Sequence, residues 1–212
     1  MNSNPSFFNG LGMNLGNLPN LSSAESRSLS SENPNGAKSG GGREQPPLDE
    51  AGDPQGCSRD LGQGWKVKPN TPIEAGETVE IGNIDGPGAI QSIWMTPTGI
   101  NRLCILRIYW DGQEQPSVEC PMCDFFATPF TGREPYDFAQ VTSLPVAVNP
   151  GNAYNCFWEM PFRKNCRITI ENRHKEAMRL FYQINYTLTD VPETSAYFHA
   201  QFRRTNPVPQ GE

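Results

Sequence analysis

Two cysteines near the middle of the chain have a spacing that can support metal or redox chemistry. Cys120 and Cys123 are separated by two residues, as in a zinc knuckle or a redox-active pair. A structural zinc site requires four ligands, and the sequence has no second pair of this spacing and no histidine at ligand spacing from it. A thioredoxin-like pair would require a βαβ setting, which the surrounding sequence lacks. We therefore predict two small buried hydrophobes, and we expect no metal ion and no cofactor.

Other catalytic signatures have little support. His174 lies in a charged turn without a nucleophile elbow nearby, so a Ser-His-Asp triad is not indicated. No P-loop is present, and the glycines of residues 82–88 are not followed by the helix that a dinucleotide-binding fingerprint requires. Nucleotide binding is therefore not predicted.

Acidic and aromatic side chains are the remaining candidates for a binding site. Asp124 precedes two phenylalanines, Glu159 follows a Phe-Trp pair, Trp94 lies in a predicted strand, and Glu32 lies in a glycine-rich region. Sugar sites use this mixture, because aromatic faces stack on sugar rings while carboxylates accept hydrogen bonds from hydroxyl groups. Structural alternatives exist for most of these residues: core packing for Trp94 and for Trp158 of the Phe-Trp pair, and the capping of strand ends for Asp124 and Glu159.

Alternating apolar and polar residues predict that β-strands position these side chains. Gly and Pro each occur 20 times, which indicates many turns and few long helices. The alternation is clearest in residues 167–171 and 180–188, which the polar turn 172–176 joins into a predicted hairpin. Asp111 and Gly112 are a second hairpin signal. About eight short strands without intervening helices favour an all-β sandwich or jelly roll over an α/β sheet. The predicted strands span residues 78–84, 88–96, 103–110, 117–120, 141–148, 154–160, 166–171 and 179–188.

The N-terminal part of the chain has a different composition. Residues 1–64 are rich in Asn, Ser, Gly and Pro and are expected to form an irregular arm with one short helix at 21–29. The three glycines at 40–42 are compatible with a tightly shaped loop and equally with a flexible linker.

The jelly roll itself is assigned to residues 65–190, and the character of the chain changes after it. Residues 191–212 are predicted to contain a short helix at 195–202, which Thr194 caps, and then an irregular tail. This part is expected to begin a second, missing half of the protein.

Charge and composition exclude several classes of partner. The 212 residues suit one domain, or one domain with a fragment of another. Lys and Arg number 17 against 23 Asp and Glu, for a net charge of −6, so neither nucleic acid nor an anionic membrane is an expected partner. We expect a cytoplasmic protein, because the N-terminus lacks a signal peptide and no apolar run reaches the roughly 20 residues of a membrane span. The six cysteines lie mostly in apolar segments, which favours free buried thiols over a disulfide framework.

Five segments, in order along the chain, resemble one enzyme family. They are Arg-Ser-Leu-Ser-Ser-Glu-Asn-Pro at 27–34 with the glycines after it, Gly-Pro-Gly-Ala-Ile-Gln-Ser-Ile-Trp-Met-Thr at 86–96, Cys-Pro-Met-Cys-Asp-Phe-Phe at 120–126, Phe-Trp-Glu-Met-Pro-Phe at 157–162, and Phe-Tyr-Gln-Ile-Asn-Tyr at 181–186. From about residue 14 onward the chain resembles the N-terminal portion of glycoside hydrolase family 172, a former domain-of-unknown-function group. The resemblance implies one half of a double jelly roll, a homo-oligomer (trimer or hexamer), and a carbohydrate substrate that is an α-linked D-fructofuranoside or D-arabinofuranoside.

The same resemblance implies a retaining mechanism with one glutamate as nucleophile and another as acid/base. In the family these glutamates follow this region, in Gly-Glu-Gly-Asp-like and Gly-Thr-Glu-Asp-like segments that this sequence does not contain. We therefore assign no catalytic residue, and we take Glu32, Asn33, Trp94, Asp124 and Glu159 as candidate substrate-binding residues.

The leading hypothesis is a truncated glycosidase region that is inactive alone. A self-contained site with Asp124 and Glu159 as its acid pair is a rival hypothesis. The non-enzymatic alternative is a carbohydrate-binding or assembly module.

Overall fold

A computed structural model describes residues 8–99, 101–130, 139–208 and 211. Almost all regular structure in these ranges is β-strand, with one 3-10 helix at Asn101–Leu103 and one short helix, α1, at Met122–Phe125. The strands are β1 (Glu25–Ser30), β2 (Thr71–Ile73), β3 (Thr78–Asp85), β4 (Gly88–Pro97), β5 (Cys104–Trp110), β6 (Val118–Pro121), β7 (Val141–Thr142), β8 (Val146–Val148), β9 (Tyr154–Cys156), β10 (Met160–Phe162), β11 (Asn165–Asn172), β12 (Met178–Leu188) and β13 (Ala200–Gln201). Residues 1–7 of the predicted arm and 209, 210 and 212 of the predicted tail lie outside the described residues.

The strands form two sheets with the connectivity of a jelly roll. The eight-stranded sheet has the order β1-β12-β4-β9-β8-β7, with β2 beside β12 and β10 beside β4. The five-stranded sheet has the order β13-β6-β5-β11-β3. From β3 to β4, from β4 to β5, and from β11 to β12, the chain crosses from one sheet to the other. This crossing pattern confirms the predicted jelly-roll β-sandwich.

The core lies between the two sheets because the buried residues alternate along the strands. In β5 every second residue from Cys104 to Trp110 is buried, and the residues between them are half-exposed. In β12 the same alternation buries Leu180, Tyr182 and Ile184. Successive side chains on a strand point to opposite faces, so these two sets face each other across the sandwich.

The predicted hairpin of residues 167–171 and 180–188 is wrong, because its two strands belong to different sheets. β11 pairs with β3 and β5, whereas β12 pairs with β1, β2 and β4. The alternation identified the inward face of each strand, but two facing strands alternate just as two paired strands do. Asn172 fixes the crossing, since its buried amide donates hydrogen bonds to the carbonyl oxygens of Ile73, Glu74 and Glu176 at 3.1, 3.2 and 2.9 Å.

The Asp111-Gly112 hairpin is confirmed. β5 and β6 are antiparallel partners, and both turn residues have positive φ, 53° and 82°. The amide of Gln113 donates to the carbonyl oxygen of Trp110 at 3.0 Å, which closes a β-turn over residues 110–113 at the start of the connection from β5 to β6.

The two predicted helices are both wrong. Residues 25–29 of the predicted N-terminal helix lie in β1, which pairs with β12 and buries Leu29 completely in the core. The predicted C-terminal helix at 195–202 is an extended segment that contains β13 and runs parallel to β6. Its backbone hydrogen bonds go to β6 and its neighbours: the amides of Ala200 and Phe202 donate to the carbonyl oxygens of Ser117 and Glu119. The segment pairs with the edge strand β6 instead of forming a helix, because this pairing satisfies the same backbone hydrogen-bonding groups and buries aromatic side chains.

Smaller differences concern strand number and the cysteines. Predicted strands 141–148 and 154–160 are each divided in two, and β2 was not predicted. Five cysteines are buried free thiols, and Cys57 is exposed. No helix in the described ranges is long and apolar enough to cross a membrane.

Candidate functional site

A pocket of about 390 Å³ opens between α1, the connection from β9 to β10, and the segment around β13. We call it the aromatic pocket, because Phe125, Trp158 and Phe198 form its walls and Phe202 lies at its rim. The rings of Trp158 and Phe198 stack with centroids 5.2 Å apart. Phe125 contacts both rings edge-on, at 5.3 and 6.1 Å. Phe202 is 40% exposed, so an aromatic surface remains accessible to a ligand.

Three separate parts of the chain build this pocket. β6 ends at Pro121 and α1 begins at the next residue, which brings Phe125 over the end of the sandwich. Trp158 lies just before β10. Phe198 is held in place by its backbone, because the indole Nε1 of Trp110 donates to its carbonyl oxygen at 2.8 Å.

Asp124 is the carboxylate that lines the aromatic pocket. The guanidinium of Arg102 donates to Asp124 Oδ2 at 2.6 Å and also to the carbonyl oxygen of Pro129. Burial raises the pKa of Asp124, and the Arg102 guanidinium offsets only part of that effect. Arg102 also lies over the ring of Phe202, 5.4 Å from its centroid. The pocket therefore combines aromatic faces with the carboxylate of Asp124, whose partner Arg102 lies outside the lining, a combination that suits a polyhydroxylated ligand with an apolar face.

Glu159 and Trp94 do not line the aromatic pocket. Both carboxylate oxygens of Glu159 accept the amide proton of Gly12 at 3.0 Å, and Oε2 also accepts from Gln91 Nε2 at 3.3 Å. Glu159 thus attaches the N-terminal arm to β4. Trp94 is half-buried on β4, and its cross-strand neighbours are Asn155 and Gln183.

Glu32 and Asn33 organise the glycine-rich loop (residues 31–42). The amide of Asn33 donates to the carbonyl oxygens of Ser28 and Ala37 at 3.1 and 3.0 Å, and its Oδ1 accepts the amide proton of Ala37 at 3.1 Å. Glu32 is buried, and its Oε1 accepts the amide proton of Lys68 at 2.5 Å. Its Oε2 is buried without a hydrogen-bond partner in the described part of the chain. The loop is therefore tightly shaped, which decides between the two alternatives for the glycines at 40–42.

The Cys-x-x-Cys segment lies beside the aromatic pocket. Burial raises the pKa of Cys120 to about 12 and that of Cys123 to about 11, so both are protonated thiols at neutral pH. The Cys123 thiol is 3.8 Å from the hydroxyl of Tyr154. Within the described ranges, no three His, Cys, Asp or Glu side chains are grouped so that they could hold a metal ion.

The sequence reasoning found part of the aromatic pocket and missed part of it. Asp124 was a candidate, and Trp158 was weighed as core against binding platform. Phe198 and Phe202, which line the pocket, and Arg102, which pairs with Asp124, were missed, because all three approach through long-range contacts. The two carboxylates of the rival enzyme hypothesis, Asp124 and Glu159, have separate partners and no shared cavity among the described residues.

Comparison with known families agrees with the fold. The model of the GH172 first beta-sandwich domain matches residues 66–206, about two thirds of the chain. A comparison with curated proteins finds no match. The matched range contains the strands from β2 to β13 and every residue that lines the aromatic pocket. The chain therefore belongs to glycoside hydrolase family 172 and carries the first β-sandwich domain of that family.

Proposed function

We propose that this chain binds an α-linked furanoside, a D-fructofuranoside or a D-arabinofuranoside, in the aromatic pocket, and that it does not cleave this ligand alone. The observation that carries the proposal is that Trp158, Phe198 and the carboxylate of Asp124 line one cavity, with Asp124 held by an ion pair to Arg102 outside the lining. A cavity of about 390 Å³ lies in the roughly 300–1,000 Å³ range of small-molecule sites.

The recognition chemistry follows from these groups. A furanose ring has C–H faces that pack on aromatic rings, and its hydroxyl groups donate to a carboxylate. Asp124 and Arg102 hold each other in a fixed geometry, so little side-chain entropy is lost when the ligand binds. The ion pair is partly buried, with 17% of the Asp124 side chain and 23% of the Arg102 side chain exposed, so hydrogen bonds to it are screened less by water than at an open surface.

We expect no cleavage because the candidate carboxylates do not lie together in one pocket. Retaining glycosidases need two carboxyl groups about 5–5.5 Å apart across the scissile bond. Among the five predicted residues, Asp124 alone lines the aromatic pocket, whereas Glu159 and Glu32 accept backbone amide protons elsewhere. In the described part of the chain the pocket thus offers one carboxylate of the two that the mechanism needs.

Calorimetric titration with methyl α-D-fructofuranoside and methyl α-D-arabinofuranoside tests the binding. We expect saturable heat for at least one of them. Asp124→Asn keeps the side-chain shape and removes the charge, so it should weaken binding about tenfold, the effect of losing roughly 1.4 kcal/mol. Trp158→Ala should abolish binding, and Trp65→Ala is the matched control because Trp65 is 56% exposed and lies outside the pocket.

The corresponding aryl furanosides test the absence of cleavage. We expect no release of the aryl group by the wild-type chain or by any variant. Turnover that survives stringent purification would refute the second half of the proposal. No heat with either methyl furanoside, or equal affinity for wild type and Asp124→Asn, would refute the first half.

Assembly is a second candidate function, and the N-terminal arm is the observation that favours it. Leu15 and Leu21 are 89% and 87% exposed, and Leu18 lies between them with 60% exposure. Monomeric proteins rarely expose several neighbouring leucines in this way. We propose that these leucines pack against a second copy of the chain in a homo-oligomer. Light scattering should give a trimer or hexamer for the wild type and a smaller species for a variant that combines Leu15→Ser with Leu21→Ser, whereas a wild-type monomer would contradict this proposal.

A further inference from the structure

A second cavity, of about 280 Å³, lies under the glycine-rich loop. We call it the loop cavity. Its floor is formed by Ser26 and Ser28 of β1 and Asn185 of β12, and its rim by residues 37–41. No described residue lines both this cavity and the aromatic pocket. Neither furanoside binding nor assembly through the N-terminal leucines uses it.

The rim of the loop cavity is held in one conformation. Asn33 fixes the loop from inside, and a Cβ atom on Gly40 would lie only 2.2 Å from Asn33 Oδ1. Arg43 Nε donates to the carbonyl oxygen of Ser39 at 2.6 Å. Ser39 has a φ of 56°, in the left-handed region that non-glycine residues seldom occupy. Such a pre-formed rim lowers the ordering cost of binding a small ligand.

The lining of the loop cavity contains two cationic side chains, one of which has no carboxylate partner in the part of the chain that the structure describes. No Asp or Glu of the described residues lines the cavity. Lys38 is exposed at the rim, and no carboxylate within the described ranges pairs with its ammonium group. Arg27, which also borders the cavity, is paired with Glu25 at 2.5 Å. Lys38 therefore supplies an uncompensated positive charge in a chain whose net charge is −6.

We propose that the loop cavity binds an oxyanion, such as the phosphate group of a small ligand. Lys38 supplies the charge, and the hydroxyl groups of Ser26, Ser28 and Ser39 supply hydrogen bonds to the anion oxygens. A neutral sugar would leave the ammonium group without a charged partner. The chemistry is shared by free inorganic phosphate and by a phosphorylated sugar, and this proposal stands independently of furanoside binding.

Calorimetric titration of the full chain with inorganic phosphate at constant ionic strength tests the proposal. We expect saturable binding that Lys38→Gln weakens about tenfold. Lys175→Gln is the matched control, because Lys175 is an exposed lysine in the polar turn between β11 and β12 and should leave the affinity unchanged. Amide resonances of residues 38–41 should shift during the titration, which places the anion at the loop.

A hexose phosphate and the matching neutral hexose identify the source of the anion. Tighter binding of the hexose phosphate than of phosphate supports a phosphorylated sugar as the ligand, and equal binding supports the free ion. The proposal is overturned if phosphate does not bind saturably at millimolar concentration, if Lys38→Gln and Lys175→Gln have equal affinities, or if the neutral hexose binds as tightly as the hexose phosphate.

Discussion

Replacing Asp111 by asparagine should destabilise the protein by releasing the segment that forms one wall of the aromatic pocket. Asp111 Oδ1 accepts the amide protons of Arg163, Lys164 and Asn165 at 3.0, 2.7 and 3.1 Å. Its Oδ2 accepts the hydroxyl proton of Tyr197, the residue before Phe198. Arg163 lies over the Tyr197 ring at 4.8 Å and donates to the carbonyl oxygens of residues 192, 193 and 195. One carboxylate thus ties the C-terminal segment to the β10–β11 connection.

The size of the effect follows from these four hydrogen bonds. Hydrogen bonds to a charged group contribute about 1.5–3 kcal/mol each, against roughly 0.5–1.5 kcal/mol for neutral pairs. An asparagine side chain in place of Asp111 would retain an acceptor but lose the charge, which removes about 1–1.5 kcal/mol per bond, or roughly 4–6 kcal/mol for the four bonds. Because Asp111 is only half-buried, water compensates more than half of this loss. We expect Asp111→Asn to lower the free energy of unfolding by about 2 kcal/mol, which corresponds to roughly 4–8 °C in Tm for a chain of this size.

The pH dependence supplies an independent check. Burial acts to raise the pKa of Asp111, but the hydrogen bonds from Tyr197 and the three amides outweigh it and leave the pKa below its usual value. A carboxylate with a lowered folded pKa stabilises the protein above its unfolded pKa of about 3.9. That contribution is lost as the pH falls through the folded pKa. The difference between wild type and Asp111→Asn should therefore be full at neutral pH and shrink below about pH 4.

Urea unfolding of four chains measures these effects: wild type, Asp111→Asn, Tyr197→Phe and the double variant. Tyr197→Phe should cost about 1 kcal/mol in the wild type and less in the Asp111→Asn background, because its partner has lost its charge. Asp190→Asn is the control, since Asp190 is an exposed carboxylate near the same segment. The reasoning is refuted if Asp111→Asn unfolds at the same urea concentration as Asp190→Asn, or if the two substitutions in the cycle are additive.

Two further predictions concern packing. Gly40→Ala should lower the free energy of unfolding by about 1–3 kcal/mol, because its Cβ would lie 2.2 Å from Asn33 Oδ1. Gly41→Ala should change it by less than about 0.5 kcal/mol, because beyond its two chain neighbours no described residue has an atom within 4 Å of that Cβ. Equal urea midpoints for the two variants would contradict the close packing of the loop. In thiol labelling of the native protein only Cys57 should react rapidly, since the other five cysteines are buried, and denaturant should expose all six. Rapid modification of a second thiol would show that the core opens readily.

Periodicity in the sequence predicted the faces of the strands better than their partners. The alternation in β11 and β12 correctly placed Ile168, Ile170 and Ile184 toward the core. It contained no information on whether the two strands pair or face each other, because both arrangements bury the same residues. The sequence pattern of β1 has the same limitation. Its serines fit a capped helix, and they form a strand because β12 is available as a hydrogen-bonding partner.

The aromatic pocket was predictable to the extent that its residues are close in sequence. Asp124 and Phe125 are neighbours, and their combination suggested a sugar site. Arg102 lies 22 residues before its partner Asp124, and Phe198 lies 73 residues after Phe125. A single sequence does not indicate which residues make contact over such separations. Glu159 was chosen because it follows Trp158, yet its side chain binds Gly12 instead, since the chain leaves the aromatic pocket at that residue.

The hydrogen bonds to Asp111 also affect the fraction of molecules in which the aromatic pocket is formed before a ligand binds. If the segment around Phe198 is docked in about 99% of molecules, a loss of about 2 kcal/mol lowers that fraction to about 80%. Affinity scales with the competent fraction, so Asp111→Asn would then weaken furanoside binding only about 1.3-fold, against the roughly tenfold effect of Asp124→Asn. We expect the segment to be docked in most molecules, because two contacts hold it independently of Asp111. They are the hydrogen bond from the Trp110 indole to the Phe198 carbonyl oxygen and the pairing of β13 with β6. Calorimetric titration of Asp111→Asn and Asp124→Asn with the furanoside shows whether the segment is docked in most molecules or in only some of them. If Asp111→Asn weakens binding as much as Asp124→Asn, the wall formed by Phe198 is only transiently in place, and the pocket is not pre-formed.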